Sequence, residues 1–239
     1  MSKILVGVNV LTSVESEVYG NHCELFFHFG RRMPEHDFIL YHPRRTSIDR
    51  MRNLAAKYAL EFECDYLCFI DDDVLVDREC LASLLKADKD VVAALTYIRG
   101  YPFNPMVFKY IYNNGNGDKV LGYDTELKAD PEGLVECEAV GFSCVLIKCE
   151  LLRKVSTPYF ITGSHHTEDV YFCVKAKKEF PNTAIFTDIK YATSHRLNSE
   201  YVTQSNVQKL RNYYKPTEVE DFKGDIDPSA IKRTLEKIK

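Results

Sequence analysis

The sequence predicts an α/β fold in which a mixed, mostly parallel central sheet is flanked by helices and followed by a short C-terminal helical appendage. One indication is an apolar run at residues 66–70 that ends in three consecutive carboxylates, Asp71, Asp72 and Asp73. An apolar run without polar alternation is typical of a strand covered on both faces. A second is the alternation of strand-like and helix-like segments up to residue 96. With 239 residues, 45% of them hydrophobic, the chain can form a substantial core.

The first part of the chain alternates between predicted strands and predicted helices. The predicted strands span residues 4–10, 37–41, 66–71 and 90–96. The predicted helices span residues 16–32, 47–62 and 77–85. In the second helix one face carries apolar residues at helical spacing, namely Ile48, Met51, Leu54, Ala55, Tyr58 and Ala59. Ser47 and Asp77 are residue types that favour a helix N-terminus.

After Gly100 the pattern becomes richer in strands. The sequence Asn-Asn-Gly-Asn-Gly, which ends at Gly117, predicts a turn within a hairpin and therefore mixed strand pairing. Further strands are predicted over residues 140–148, 183–187 and 190–193. Helices are predicted over residues 167–179, with Thr167 as the cap, and from Ser229 to the end.

This pattern predicts one domain over residues 1–200 and a helical extension over residues 201–239. The character of the domain changes at about residue 100. A net charge of −4 gives no reason to expect a nucleic acid partner. We expect neither a signal peptide nor a membrane span. The eight cysteines lack paired CxxC spacing, so we expect reduced, buried thiols and a cytoplasmic location.

The acidic triplet is the strongest candidate for a functional site. If Asp71 ends a parallel strand, its carboxylate emerges at the sheet edge where open α/β folds bind ligands. Adjacent carboxylates repel one another unless a cation lies between them. A hard divalent cation with oxygen ligands meets that need and would attract a phosphate-bearing substrate. The alternative interpretation is a solvated acidic turn, although such turns rarely follow so apolar a run.

Four features of the chain occur in an order that is familiar from one enzyme family. They are Arg52-Asn53 in a helix before the strand that ends in Asp71-x-Asp73, the glycine-containing segment Val140–Lys148, the Glu168-Asp169 helix start, and Ser194-His195. In this order the chain resembles the GT-A fold glycosyltransferases over residues 3–196. Its small size is similar to that of bacteriophage or large-virus members, which act without membrane anchors.

The resemblance implies a metal-dependent transfer of a sugar from a nucleotide diphosphate, with UDP as the expected carrier, to a hydroxyl of a glycan or another acceptor. It implies Mn²⁺ or Mg²⁺ as the cofactor, because a divalent cation neutralises charge on the departing diphosphate. Asp73 and His195 would bind the metal, and Asp71 would contact the metal, its water or the ribose. Asp72 would orient the loop. A lone histidine is more often structural, but an imidazole suits Mn²⁺ beside carboxylates.

The resemblance also implies a nucleotide-binding half of the domain, to about residue 100, and an acceptor half after it. Asp169 would be the general base of an inverting reaction, with Glu168 beside it; in a retaining enzyme the same acid would bind acceptor or sugar. Both could instead be ordinary first-turn acids of a helix. Residues expected to contact the donor, besides Asp71 and Asp72, are Val8, Asn9, Thr12, Arg44, Arg52, Asn53, Tyr97, Arg99 and Gly141. Surface solvation of the arginines and simple loop packing by Tyr97 and Arg99 are the alternatives.

Other functions fit the sequence less well. A haloacid-dehalogenase-type phosphatase also places Asp-x-Asp after an apolar strand, but expects it near the first strand and a Thr or Val where Leu75 stands. A nucleotidyltransferase expects an early glycine-rich signature that residues 7–12 lack. The non-enzyme alternative is a sugar-binding or nucleotide-binding protein on a transferase scaffold.

Overall fold

The computed structural model describes residues 1–11, 13–43, 45–112, 119–197 and 200–214. The strands are β1 Ser2–Asn9, β2 His36–Tyr41, β3 Tyr66–Asp71, β4 Val74–Leu75, β5 Val91–Ala94, β6 Val107–Tyr112, β7 Lys119–Tyr123, β8 Leu134–Glu136, β9 Ala139–Val140, β10 Cys144–Lys148, β11 Ile185–Asp188, β12 Ser194–Leu197 and β13 Glu200–Val202. The helices are α1 Ser16–Arg32, α2 Ile48–Glu61, α3 Cys80–Ala87, α4 Cys149–Lys154, α5 Glu168–Glu179 and α6 Val207–Tyr213. The predicted helix from Ser229 and the predicted turn at residues 113–117 lie outside the described residues.

The central sheet has seven strands in the order β2-β1-β3-β10-β5-β11-β8. Strands β2, β1 and β3 are parallel neighbours, and β5 and β11 form a second parallel pair. Strand β10 runs antiparallel to both β3 and β5, and β8 runs antiparallel to β11. Five of the seven strands therefore run in the same direction, and β10 and β8 run in the opposite one. This mixed sheet flanked by helices confirms the predicted α/β class.

The sheet is buried on both faces by helices that come from different crossovers. Helix α1 packs against one face through Leu25 and Phe29, and α2 packs against the other through Ala55 and Ala59. Strand β3 contributes side chains to both faces of the sheet, because successive residues of a strand point to opposite faces. Phe69, for example, lies on the α2 side. Since α1 leads to β2 and α2 leads to β3 on the other side of β1, the strand order reverses between β1 and β3. Open α/β sheets bind ligands at such a reversal.

Two small sheets extend the fold. Strands β6 and β7 pair antiparallel, as the predicted hairpin requires, and β9 joins β6 from the other side. Strand β12 pairs with β4 directly after the acidic triplet and with β13 on its other edge. The second small sheet thereby brings the chain around residue 195 next to the residues that follow β3.

The single strand predicted over residues 140–148 is wrong, because the chain changes sheets there. Strand β9 belongs to the small sheet with β6, and β10 belongs to the central sheet, with Gly141, Phe142 and Ser143 between them. The apolar pattern runs through the change because both strands are buried. Gly141 lies close against Met106, where an added Cβ would come within 2.5 Å of Met106 Cε.

Two other local predictions were also wrong. Residues 190–193 form a turn rather than a strand, and the carboxylate of Asp188 accepts a hydrogen bond from Lys190 N at 2.8 Å. Asp77 does not begin α3; its carboxylate accepts a bond from Glu79 N at 2.8 Å, and the helix starts at Cys80. Ser47 and Thr167 flank α2 and α5 as predicted, but neither side chain makes a capping hydrogen bond.

Two other expectations concerned the state of the cysteines and the presence of a membrane span. All eight cysteines are free, and Cys23 is the one that is not buried. Among the residues that the structure describes, no helix combines the length and the apolarity needed to cross a bilayer.

Candidate active site

The reversal between β1 and β3 brings two polar side chains to one sheet edge. Asn9 ends β1 and Asp71 ends β3, and the two are register partners on neighbouring parallel strands. Asn9 is 1% exposed, and neither its Nδ2 nor its Oδ1 has a hydrogen-bond partner among the described residues. A buried amide without hydrogen-bond partners costs free energy, which indicates that this sheet edge has a role other than packing.

Arg52 connects Asp71 to the acid at the start of α5. Its Nη2 donates to Asp71 Oδ1 at 3.0 Å, and its Nε donates to Glu168 Oε1 at 2.9 Å. Its Nη1 donates to the carbonyl of Phe142 at 3.3 Å. The guanidinium carbon also lies 4.9 Å from the ring centre of Phe69 and 5.6 Å from that of Phe142. Arg52 is 2% exposed, so this cation is held inside the protein.

Burial controls the protonation of the two acids that Arg52 contacts. It raises the pKa of Asp71 to about 7, because removal from water outweighs the opposing charge of Arg52, and the nearby Asp73 and Glu168 add to the rise. Burial also raises the pKa of Glu168, with a further rise from Asp169 that Arg52 partly offsets. The positive charge of one guanidinium is thus shared among several nearby carboxylates.

Asp73 lies in a different environment, two residues further along the chain. Its Oδ2 is 2.8 Å from Arg99 Nη1 and 3.5 Å from His195 Nε2. Burial alone would raise the pKa of Asp73, but the contact with His195 and the charge of Arg99 outweigh it, so the pKa lies below its usual value. The other ring nitrogen of His195, Nδ1, is 2.7 Å from the carbonyl oxygen of Tyr97. Tyr97 thus contributes its backbone, which orients the imidazole.

Asp72 fixes the loop that follows β1. Its Oδ2 accepts a hydrogen bond from the backbone N–H of Leu11 at 3.0 Å. This contact ties the end of β1 to the acidic triplet across the edge of the sheet.

Asp169 lies beside Glu168 in the first turn of α5. It is 4% exposed, and its Oδ1 accepts a hydrogen bond from Val170 N at 2.7 Å. Its second oxygen has no hydrogen-bond partner in the described part of the chain. Burial raises the pKa of Tyr123, and the nearby charge of Asp169 raises it further. Asp169 therefore has an oxygen available for an incoming group, and the neighbouring Glu168 has one oxygen bound to Arg52.

The residues expected to contact the nucleotide fall into different groups. Thr12 and Arg44 lie outside the described residues. The side chain of Val8 is buried in the core on the α1 face of the sheet. Gly141 donates its N–H to the carbonyl of Met106 at 2.8 Å, which anchors the segment before β10. Arg99 reaches the site, but through its ion pair with Asp73.

Asn53 is occupied by the protein itself. Its Oδ1 accepts hydrogen bonds from the N–H groups of Tyr159 and Phe160 at 2.9 and 3.2 Å. Its Nδ2 donates to the carbonyl oxygens of Phe160 and Asp49 at 2.6 and 2.8 Å. This amide has used its hydrogen-bonding capacity to attach residues 159–160 to α2.

The donors around Asp73 fit a hard divalent cation that also binds substrate oxygens. A carboxylate and an imidazole suit Mn²⁺, and a backbone carbonyl that fixes Nδ1 of His195 leaves Nε2 for a metal. Within the described ranges no three His, Cys, Asp or Glu side chains converge on one point. The remaining ligands would therefore come from phosphate oxygens and water, as is usual for Mg²⁺ in nucleotide-dependent enzymes.

Sequence reasoning missed the aromatic enclosure of Arg52 by Phe69 and Phe142. A signal was present in α2, since Arg52 lies at helical spacing from the buried Ala55, Ala56 and Ala59. An arginine on the apolar face of a helix must find partners in the interior. The partners could not be identified in advance, because Glu168 is 116 residues away along the chain.

No protein-family model and no curated protein matches this chain. Solved structures do match it. The A197 protein of STIV aligns with 82% of this chain and 86% of its own, at 19% identity and a TM-score of 0.55. GalNAc-T7, crystallised with UDP, GalNAc and Mn²⁺, aligns with 83% of this chain at 11% identity and a TM-score of 0.49. The aligned part is 45% of the GalNAc-T7 chain. The similarity to A197 shows that the two chains share a fold.

Proposed function

We propose that this protein is a metal-dependent glycosyltransferase that moves a sugar from a nucleotide diphosphate to a hydroxyl of a glycan acceptor. UDP is the donor carrier we expect from the resemblance of the sequence to GT-A enzymes. The observation that supports the proposal most is the convergence of Asp73 and His195 on one side, and Glu168 and Asp169 on the other, around the strand end at Asp71.

The donor would bind at the reversal between β1 and β3. Asn9 offers a buried donor and a buried acceptor there, and Asp72 holds the loop at Leu11 beside it. Asp73 and His195 would hold the divalent cation, which when bound neutralises the charge on the departing diphosphate. Arg99, which is 55% exposed and contacts Asp73, can reach phosphate oxygens from the solvent side.

The acceptor would bind on the α5 side. Asp169 stands at the N-terminus of α5, where the helix dipole favours a carboxylate. Its uncommitted oxygen could accept the proton of the acceptor hydroxyl in an inverting reaction. In a retaining reaction the same oxygen would bind the acceptor or the sugar.

The test is incubation of the purified protein with Mn²⁺ and individual nucleotide sugars, followed by measurement of free nucleotide diphosphate. We expect slow hydrolysis of one donor, its loss in EDTA, and a decrease of about 10²- to 10⁴-fold in Asp169→Asn. Asp37→Asn is the matched control, because Asp37 is an exposed carboxylate near the opposite end of β2. It should retain wild-type activity.

Two other outcomes would overturn the proposal. Tight nucleotide-sugar binding without turnover of any donor or acceptor would indicate a binding protein on this scaffold. Hydrolysis of a fluorogenic phosphomonoester would indicate a phosphatase. A thermal-shift panel of nucleotide diphosphates identifies the base, because stabilisation follows occupancy by mass action.

A further inference from the structure

The buried guanidinium of Arg52 joins two parts of the site that are far apart in sequence. It lies on α2, Asp71 ends β3, and Glu168 begins α5. The three side chains contact one another only through Arg52, at 3.0 Å to Asp71 and 2.9 Å to Glu168. On the proposed function, Asp71 belongs to the donor side and Glu168 stands next to the acceptor acid Asp169.

Arg52 is shielded from direct contact with a substrate. Three of its five N–H donors bond to protein oxygens, and the rings of Phe69 and Phe142 lie beside its guanidinium. Its side chain is 3% exposed. A nucleotide could reach the guanidinium only if these contacts were broken, which would leave buried acids unpaired.

The shape of the guanidinium matters as much as its charge. Its donors point in fixed, divergent directions within one plane, so that Nε faces Glu168 while Nη2 faces Asp71. The third bond, to the carbonyl of Phe142, fixes the plane beside the segment that connects β9 to β10. A lysine ammonium carries the same charge but cannot reproduce this fork.

We infer that Arg52 is a positioning residue that holds the carboxylates of Asp71 and Glu168 in one fixed arrangement, so that the donor and acceptor sides of the site act as a unit. This inference rests on the proposed function for its catalytic consequence. Its structural part, the coupling of Asp71 and Glu168 through one side chain, can be tested without any substrate.

The substrate-free test is a double-variant cycle of urea unfolding with Asp71→Asn and Glu168→Gln, each alone and together, first with Arg52 intact and then with Arg52→Lys. If Arg52 couples the two acids, their losses in the free energy of unfolding should be non-additive with Arg52 intact and closer to additive with Arg52→Lys. Arg50→Lys is the matched control, because Arg50 is on the same helix but exposed, and it should leave the non-additivity unchanged. Additive losses with Arg52 intact would overturn the inference.

The catalytic test uses the same variants with the donor identified above. Arg52→Lys should lower kcat by about 100-fold with little change in the donor KM, since a misplaced group costs on that order. When Arg52→Lys is added to Glu168→Gln, the further decrease in kcat should be well below 100-fold, because Glu168→Gln has already disrupted the arrangement that Arg52 holds. A rise in donor KM at unchanged kcat would instead make Arg52 a donor-binding residue. If the wild-type protein turns over no donor, the proposed function fails, and the unfolding cycle alone decides the inference.

Discussion

Asp71 and Asp73 are two residues apart, yet their pKa values are shifted in opposite directions. Asp71 faces inward to Arg52, and burial raises its pKa to about 7. Asp73 faces His195 and the half-exposed Arg99, and its pKa is lowered although burial opposes this. The comparison shows that the effect of a nearby cation on the pKa of an acid depends on how many acids share that cation. Arg52 is shared among several acids, whereas Arg99 and His195 both contact Asp73.

The difference assigns different roles to the two acids. An acid that stays ionised beside an available imidazole is suited to a cation, as proposed for Asp73. An acid that is held by an interior arginine is suited to fixing the relative positions of chain segments. The four predictions below test this division, beginning with the largest expected effect.

Arg52→Met should lower the free energy of unfolding by about 3–5 kcal/mol, because it leaves the buried Glu168 and the partly buried Asp71 without their cation. Urea unfolding of the purified variant measures this loss. Arg50→Met, an exposed position on the same helix, should change the value by less than about 0.5 kcal/mol. A loss below about 1 kcal/mol in Arg52→Met would mean that the two acids are not held by this residue.

Asp73→Asn should abolish the part of the UDP-dependent stabilisation that requires Mn²⁺. At a ligand concentration of about 100 times Kd, that stabilisation is about 2.7 kcal/mol. A thermal-shift series with UDP, with and without Mn²⁺, measures it, and Asp37→Asn provides the control. An unchanged metal-dependent shift in Asp73→Asn would remove this residue from the metal site.

The two acids should also give the metal-free protein opposite pH dependences. Asp71 has a folded pKa near 7 against 3.8 as its ordinary value, so the folded state binds the extra proton and stability falls as pH rises from about 4 to 7. Asp73 has a lowered pKa, so its contribution is present above its ordinary pKa and is lost as pH falls through the folded value.

Unfolding in urea with EDTA, measured from pH 4 to 8, separates the two contributions. Asp71→Asn should flatten the decline toward neutral pH, whereas Asp73→Asn should reduce it only in part, because burial contributes more than the charge of Asp73 to the raised pKa of Asp71. If Asp73→Asn flattened the curve as much as Asp71→Asn, the contrast between the two acids would be lost.

Arg99→Ala should have the smallest effect, at most about 1 kcal/mol on the free energy of unfolding. The reason is that its guanidinium is 55% exposed, so water replaces much of the ion pair with Asp73. Unfolding at low and high salt measures it, and the difference from wild type should shrink as salt screens the pair. A cost similar to that of Arg52→Met would show that exposure does not distinguish the two arginines.

Much of the sheet could be predicted because its signals are local. The apolar run before Asp71 is buried on both faces, so the sequence lacks alternation there, and α2 shows its buried face at helical spacing. The division of residues 140–148 between two sheets could not be predicted, because both strands are apolar and only their distant partners differ.

The candidate site was predicted in its acids but not in its connections. Asp71, Asp73 and His195 were expected together, and the structure places them at one edge. Arg52 and Asn53 were expected to face the nucleotide, but Arg52 contacts interior acids and Asn53 contacts the backbone of Tyr159 and Phe160. The contacts of Arg52 with Glu168 and of Asn53 with Tyr159 join residues more than 100 positions apart, which no local pattern can reveal.

Strand β10 lies between β3 and β5 in the sheet, although it comes after both in the chain. During synthesis the ribosome must therefore release residues up to Lys148 before the centre of the sheet can close. Until then β3 and β5 each present an unpaired edge, and the nascent chain depends on a late segment to finish its interior. Closing so long a loop is slow. Such an intermediate exposes strand edges that other chains could join, so a chaperone that shields them would improve the yield of folded protein.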